Sequence, residues 1–285
     1  MIPELLCVAT GAAIIAVAVR LHVRYERAGE MEWTSARWRD LACDRSGKSA
    51  ALAAVRLGLS AYAAMTICIM ASRPVKTAAG RPALGGAYTF CTFTVWSWTL
   101  IAVYLGLAGS ASAFHAIGWA PSERVGDGVA RFMWAFFEVM FACSILVFLV
   151  VWLVLLPEAY IQTHSDSGLL KWTVLSAHNL NLAFMVVDCA LNCFHFHRPH
   201  FVFIVYYGCA YVVFSWFWFL YDGVFYYFFL DWRIVLTPVS YLGLISVLYG
   251  VFLASARLSS RLKPLGNGAS AREVHLNSAE GIQGC

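Results

Sequence analysis

The sequence predicts an all-α fold, a polytopic transmembrane bundle of seven helices, or six if the first segment is not retained. Three observations predict it. Of the 285 residues 61% are hydrophobic and 13% charged, and the mean hydropathy is +0.69, whereas a soluble domain carries about a quarter charged residues. Apolar runs recur at 5–19, 51–71, 88–108, 132–156, 172–193, 201–221 and 234–255, most of them near the roughly 20 residues that cross a hydrocarbon core of about 30 Å. Basic residues gather in alternate connections, as they do when one side of a membrane is cytosolic.

The first run is short. Met1-Ile2-Pro3-Glu4 supplies no basic leader, and Arg20, Arg24 and Arg27 follow the run instead. That order fits an anchor with its N-terminus outside better than a signal peptide, although Ala16-Val17-Ala18 is a small-residue stretch compatible with cleavage. With an outside N-terminus, the cytosolic connections and tail hold Arg20, Arg24, Arg27, Arg37, Arg39, Arg45, Lys48, Arg124, Arg131, Arg198, Arg257, Arg261, Lys263 and Arg272. The outer side holds Arg73, Lys76, Arg81, Lys171 and Arg233, so the count is fourteen against five and obeys the positive-inside rule. The segment 22–48, with Trp33 and Trp38, reads as a strip for the anionic inner leaflet, its attraction reduced by Glu26, Glu30, Glu32, Asp40 and Asp44. The chain thus divides into residues 1–50, an anchor helix and basic cytosolic loop; 51–258, a six-helix core; and 259–285, a tail without apolar periodicity that reads as disordered.

The net charge of +4 is small and points away from nucleic acid. The nine cysteines are odd in number and form no CxxC. Cys68, Cys91, Cys143, Cys189 and Cys209 lie in apolar runs, where a free thiol behaves as a small hydrophobe. His195, His197 and His200 cluster beside Arg198 in the fifth connection without carboxylate or Cys partners, and read as a solvated loop. No metal or organic cofactor is expected. Membrane lipid is the expected partner, in the plasma membrane or an endomembrane, and the sequence names no protein partner.

Ionisable groups inside the apolar runs are functional candidates because facing lipid costs them several kcal/mol. Four stand out: Arg56, Glu138, His178 and Asp188. On the 172–193 segment His178, Asn181, Asp188 and Asn192 fall within about 80° of arc, a polar stripe that must face the bundle interior. Arg56, Glu138 and Asp188 each lie five or six residues from the cytosolic end of their runs, roughly 8–9 Å deep at 1.5 Å per residue. An arginine meeting one or two carboxylates at one depth, Asp188, Glu138 or both, is neutralised as a clamp between helices; a proton or ion path is the alternative. His178 and Thr94 lie six residues from the outer ends of their runs, and Thr94, Ser97 and Tyr104 share a face. Such a Thr commonly bonds its own i−4 carbonyl. A neutral His beside it can also take its proton and make it a nucleophile.

The stretches Ala54-Val55-Arg56-Leu57-Gly58, YTFCTFTVWSWTL at 88–100 and WTVLSAHNLNLAFMVVDCALN at 172–192 resemble the rolling stone family of membrane proteins. That family is similar in turn to the androgen-induced and androgen-dependent membrane hydrolases of fatty acid esters of hydroxy fatty acids. The resemblance covers roughly 51–258, and residues 1–50 are additional to it. It implies an intramembrane catalytic Thr at Thr94, a catalytic His at His178 and an intramembrane arginine at Arg56. Val95 stands where rolling stone proteins tend to carry Asn.

Three functions follow as expectations. The first is a lipid ester hydrolase in which Thr94 attacks the carbonyl, His178 is base and then acid, and Ser97 or Asn181 donates to the oxyanion. Asn192 would support the site, with Arg56, Glu138 and Asp188 holding the helices beneath it. The second is the non-enzymatic role in cell contact, fusion or trafficking associated with the rolling stone branch. The third is a small transporter, for which no internal inverted repeat is visible.

Overall fold

The computed structural model describes residues 2–33, 36–73, 85–166 and 168–262, all helix, turn and connection with no strand among them. Its elements are α1 (Ile2–Ala28), α2 (Trp38–Ala42), α3 (Ala50–Ser72), α4 (Phe93–Ala116), α5 (Glu123–Val150), a π turn at Val151–Leu155, α6 (Leu156–Thr163), α7 (Trp172–Leu175), a second π turn at Ser176–Leu180, α8 (Asn181–Leu191), α9 (Phe201–Asp222) and α10 (Thr237–Leu262). Among the described residues seven helical stretches are long and apolar enough to cross a membrane. The chain is a membrane-spanning helical bundle. Connections 29–49, 117–122 and 192–200 lie at one end, called here the basic end; 223–236 lies at the far end with residues 85–92.

The first span exceeds its apolar run. Residues 2 to 28 form one helix with Glu4 in the first turn and Arg27 in the last, each placed to favour the helix dipole. Leu5, Leu6, Val17 and Val19 stay exposed, as lipid-facing residues do, while Gly11 admits the Trp216 ring. The helix packs on α9 and α10.

The helix from Glu123 to Thr163 runs 41 residues, about 60 Å at 1.5 Å per residue and twice the hydrocarbon thickness. The sequence expectation began it at 132. Its first turns instead lie against α2: Arg37 Nη1 donates to Asp127 Oδ2 at 2.6 Å and the Trp38 amide donates to Oδ1 at 3.1 Å, and the Asp127 carboxylate raises the pKa of Arg37. The first π turn precedes Pro157, whose missing N–H and ring bulk would break a regular helix at Leu153. The second has a different cause. Ser176 Oγ donates to the Trp172 carbonyl at 2.8 Å and also meets the Tyr62 hydroxyl at 2.9 Å, a side-chain bond that competes with the helix ladder.

α3 and α4 form the closest helix pair. Ser60 Oγ donates to the Ala102 carbonyl at 2.8 Å, and a Cβ on Gly109 would stand 2.9 Å from Leu57 Cγ and 3.0 Å from Arg56 Cβ. Small residues permit this approach where no hydrophobic effect drives helices together. Gly109→Ala is therefore expected to lower stability by about 1–3 kcal/mol through overpacking, read as an earlier thermal transition in detergent; a parent-like transition would show that the contact yields freely.

Three expectations need correction. Segment 22–48 is not wholly a surface strip: residues 22–28 complete α1, and Leu41, Ala42 and Cys43 are buried. The fifth connection is not a solvated loop, because Pro199 and His200 are buried, although His195 is exposed. α10 continues to Leu262, four residues past the expected end of the core; the rest of the tail lies outside the described residues. Among the described residues no disulfide joins the cysteines.

Candidate functional site

Arg56 sits fully buried on α3 and reaches across the bundle. Its Nε donates to Asp188 Oδ1 at 2.7 Å, its Nη1 to the Leu41 carbonyl at 2.7 Å and to Ser112 Oγ at 3.0 Å. Asp188 Oδ2 accepts from the Tyr104 hydroxyl and the Asn192 amide, each at 2.8 Å. Every one of these side chains is buried. Both Asp188 oxygens are engaged and Arg56 donates through Nε and Nη1, the hydrogen bonds that help to hold paired charge in a low-dielectric interior, while Arg56 Nη2 is buried without a partner.

Glu138 does not join that pair as its bonded partner. Its helix starts nine residues earlier than its apolar run, and its carboxylate faces the fifth connection. Oε1 accepts from the His197 backbone N–H, and Oε2 lies 2.5 Å from His200 Nδ1. His200 Nε2 lies 3.0 Å from the Met31 carbonyl, and Trp33 stacks on its ring at 4.7 Å. His197 Nε2 bonds the Glu30 carbonyl. The expected three-residue cluster is therefore two centres at the basic end, one joining α3, α4 and α8, the other joining α5, the fifth connection and residues 30–33.

Toward the far end lie the residues with chemical potential. The Tyr104–Asp188 bond sets the register of α4 against the fifth span. Thr94 precedes Tyr104 by ten residues, as His178 precedes Asp188, so both stand about 15 Å from that bond on the same side. Thr94 is in the first turn of α4, not six residues into a helix, because residues 86 to 91 form a 3-10 turn and Thr92 caps α4 by accepting from the Val95 amide at 3.3 Å. Its i−4 carbonyl, on Phe90, lies before the helix and accepts from the Trp96 indole at 2.7 Å. The Thr94 hydroxyl instead neighbours the Tyr227 phenol. Burial raises Tyr227 above the usual phenol range, so it stays protonated and can donate. Cys91, three residues before Thr94, is pushed by burial up to about 12 and is no thiolate nucleophile.

His178 occupies the middle of the second π turn and is 5% exposed. Its Nδ1 and the Asn181 Nδ2 are buried without hydrogen-bond partners; Asn181 Oδ1 accepts from the Leu182 amide. No hydrogen bond joins Thr94 to His178. Ser97 Oγ is 3.2 Å from the Tyr207 hydroxyl. Among the described residues no group of three or more His, Cys, Asp or Glu is arranged to hold a metal ion.

An apolar cavity of about 230 Å³ opens beside Thr94, between α1, α5, α9 and α10 and the 223–236 connection. Sequence reasoning missed Tyr227, His200 and this space. One signal was present: the aromatic run Phe225 to Phe229 is too apolar for a solvated connection, and it packs into the far end against Cys7, Cys91, Tyr211 and Tyr241. Comparison of the chain with protein-family models, curated proteins and solved structures finds no match.

Proposed function

We propose that the protein is a lipid ester hydrolase working within the membrane, with Thr94 as nucleophile and His178 as its base. The observation that carries this reading is the His178 imidazole: its Nδ1 is buried and unpartnered, and it sits on a π turn. A buried polar atom left unpaired costs about 1–3 kcal/mol, and π turns are frequent at functional sites. The resemblance of the motifs around Thr94 and His178 to the threonine-type membrane hydrolases supports the same pair.

In this reaction Thr94 Oγ1 bonds to the ester carbonyl carbon while its proton passes to His178. The proton then goes to the departing alkoxide, leaving an acyl-threonine. Water, deprotonated by His178, then attacks the acyl carbon; the acid leaves as His178 returns the proton to Thr94 Oγ1. The amide of Asn181 donates to the oxyanion. Substrate binding brings Thr94 and His178 within reach through the ester or a bound water, since catalytic hydrogen bonds tighten in the substrate complex.

Turnover of a panel of long-chain esters by the purified parent, Thr94→Ala and His178→Ala tests it. Each substitution should lower kcat by about 10²–10⁴-fold, and fluorophosphonate labelling should require Thr94. Hydrolysis that survives both changes, or a parent that cleaves no ester, overturns the reading and leaves the non-enzymatic role in contact, fusion or trafficking.

A further inference from the structure

We propose that the cavity between α1, α9 and α10 is a binding site for one linear hydrocarbon chain of a membrane lipid, and that α1 is the wall across which the chain enters. The inference goes beyond the hydrolase reading and stands whether or not Thr94 cleaves an ester.

Three observations carry it. The lining is almost wholly aliphatic and aromatic, its side-chain heteroatoms coming from Thr94, Cys209 and the tyrosine and tryptophan rings. A cavity with such walls does not hold water, and an apolar one of about 150 Å³ stays dry yet takes up benzene. At about 230 Å³ this space is larger, but below the roughly 300–1,000 Å³ of sites that enclose whole drug-sized ligands. It suits part of a chain with its head group outside.

The space is long. On α1 the lining runs from Val8 to Ile15 and on α10 from Tyr241 to Leu248, seven residue steps on each and thus about 11 Å of rise. An elongated apolar slot along the helix axes matches a linear chain better than a compact ring system.

The wall is distinctive. α9 and α10 leave a gap over the end of α5, where Leu146, Val150 and Leu155 form the floor, and α1 bridges that gap. The other face of α1 is exposed at Leu5, Leu6 and Val17, and Val8 of the lining is itself exposed, so the slot meets lipid along α1. α1 lies outside the region that resembles the hydrolases, so the slot is completed by a part of the chain that the resemblance does not cover.

The test uses the full-length protein in nanodiscs containing a phospholipid with a photoactivatable group on one acyl chain, with adducts mapped by mass spectrometry. Adducts should concentrate on the slot face of α1 and on Leu244 to Leu248. Val8→Trp and Ile245→Trp, on separate helices, should each reduce them at least about tenfold, the loss expected if overpacking costs the bound chain roughly 1.4 kcal/mol. Outward adducts at Leu5 and Val17 should persist. Adducts spread evenly over outward positions and unchanged by both fillings would overturn the proposal, as would capture of a photoactivatable sterol with no acyl capture. A parent that labels in the slot but cleaves no ester concerns the catalytic reading alone.

Discussion

Arg56→Ala is expected to cost about 3–5 kcal/mol, because it leaves Asp188 charged and buried with only a phenol and an amide as donors. In the parent, Asp188 receives Arg56 Nε at 2.7 Å together with Tyr104 and Asn192, each at 2.8 Å. The hydroxyl and amide solvate the carboxylate but carry no charge to offset it. The loss should appear as poor recovery of monodisperse protein and an early thermal transition. Arg56→Ala with Asp188→Asn should recover part of it, since the second change removes the stranded charge. Equal stability of Arg56→Ala and the parent would mean that the pair contributes nothing to the fold.

The Glu138 centre should behave similarly. Glu138→Ala strips an acceptor from the His197 backbone N–H and from His200 Nδ1, all within the buried turn. A cost of about 3–5 kcal/mol is expected where one member of a buried pair is removed. Glu138→Gln keeps one carbonyl acceptor and should cost about a third as much, near the 1–3 kcal/mol of a single unpaired polar group. The two changes also differ in reach. His200 and His197 hold the Met31 and Glu30 carbonyls, so Glu138→Ala should expose residues 29–49 to limited proteolysis before the bundle melts. Proteolysis at parent rates in Glu138→Ala would show that the segment is held by its other contacts.

The seven spans were legible because lipid demands long apolar runs, and the Arg56–Asp188 pair because buried charges need partners at one depth. Glu138 was misread for a definite reason. Depth was counted from the first apolar residue, but α5 begins at Glu123, where Asp127 and Arg37 satisfy each other. The same preference for solvent that made three histidines look like a loop hid the fact that a buried carboxylate can draw imidazoles inward. The π turns left no trace in hydropathy, since one extra residue per turn barely changes an apolar pattern. Nor could Thr92 be told from Thr94 as the helix cap, because both hydroxyls stand in the same short run. The pairing of hydroxyl and imidazole came from spacing alone, and the structure draws no bond between them.

The contacts of Arg56 also describe an order of events during synthesis. The Leu41 carbonyl lies 15 residues before it, Ser112 lies 56 residues after it, and Asp188 lies 132 residues after it. At about 5–20 residues per second the ribosome reaches Asp188 roughly 7–26 s after Arg56 has been made. For that interval the nascent arginine has no countercharge from Asp188, and a guanidinium at the helix end snorkels toward the interface. The carbonyl of Leu41 is already made by then, so it can be met before any of the downstream groups. The N-terminal segment thus supplies the one of these three partners that is synthesised before the arginine itself.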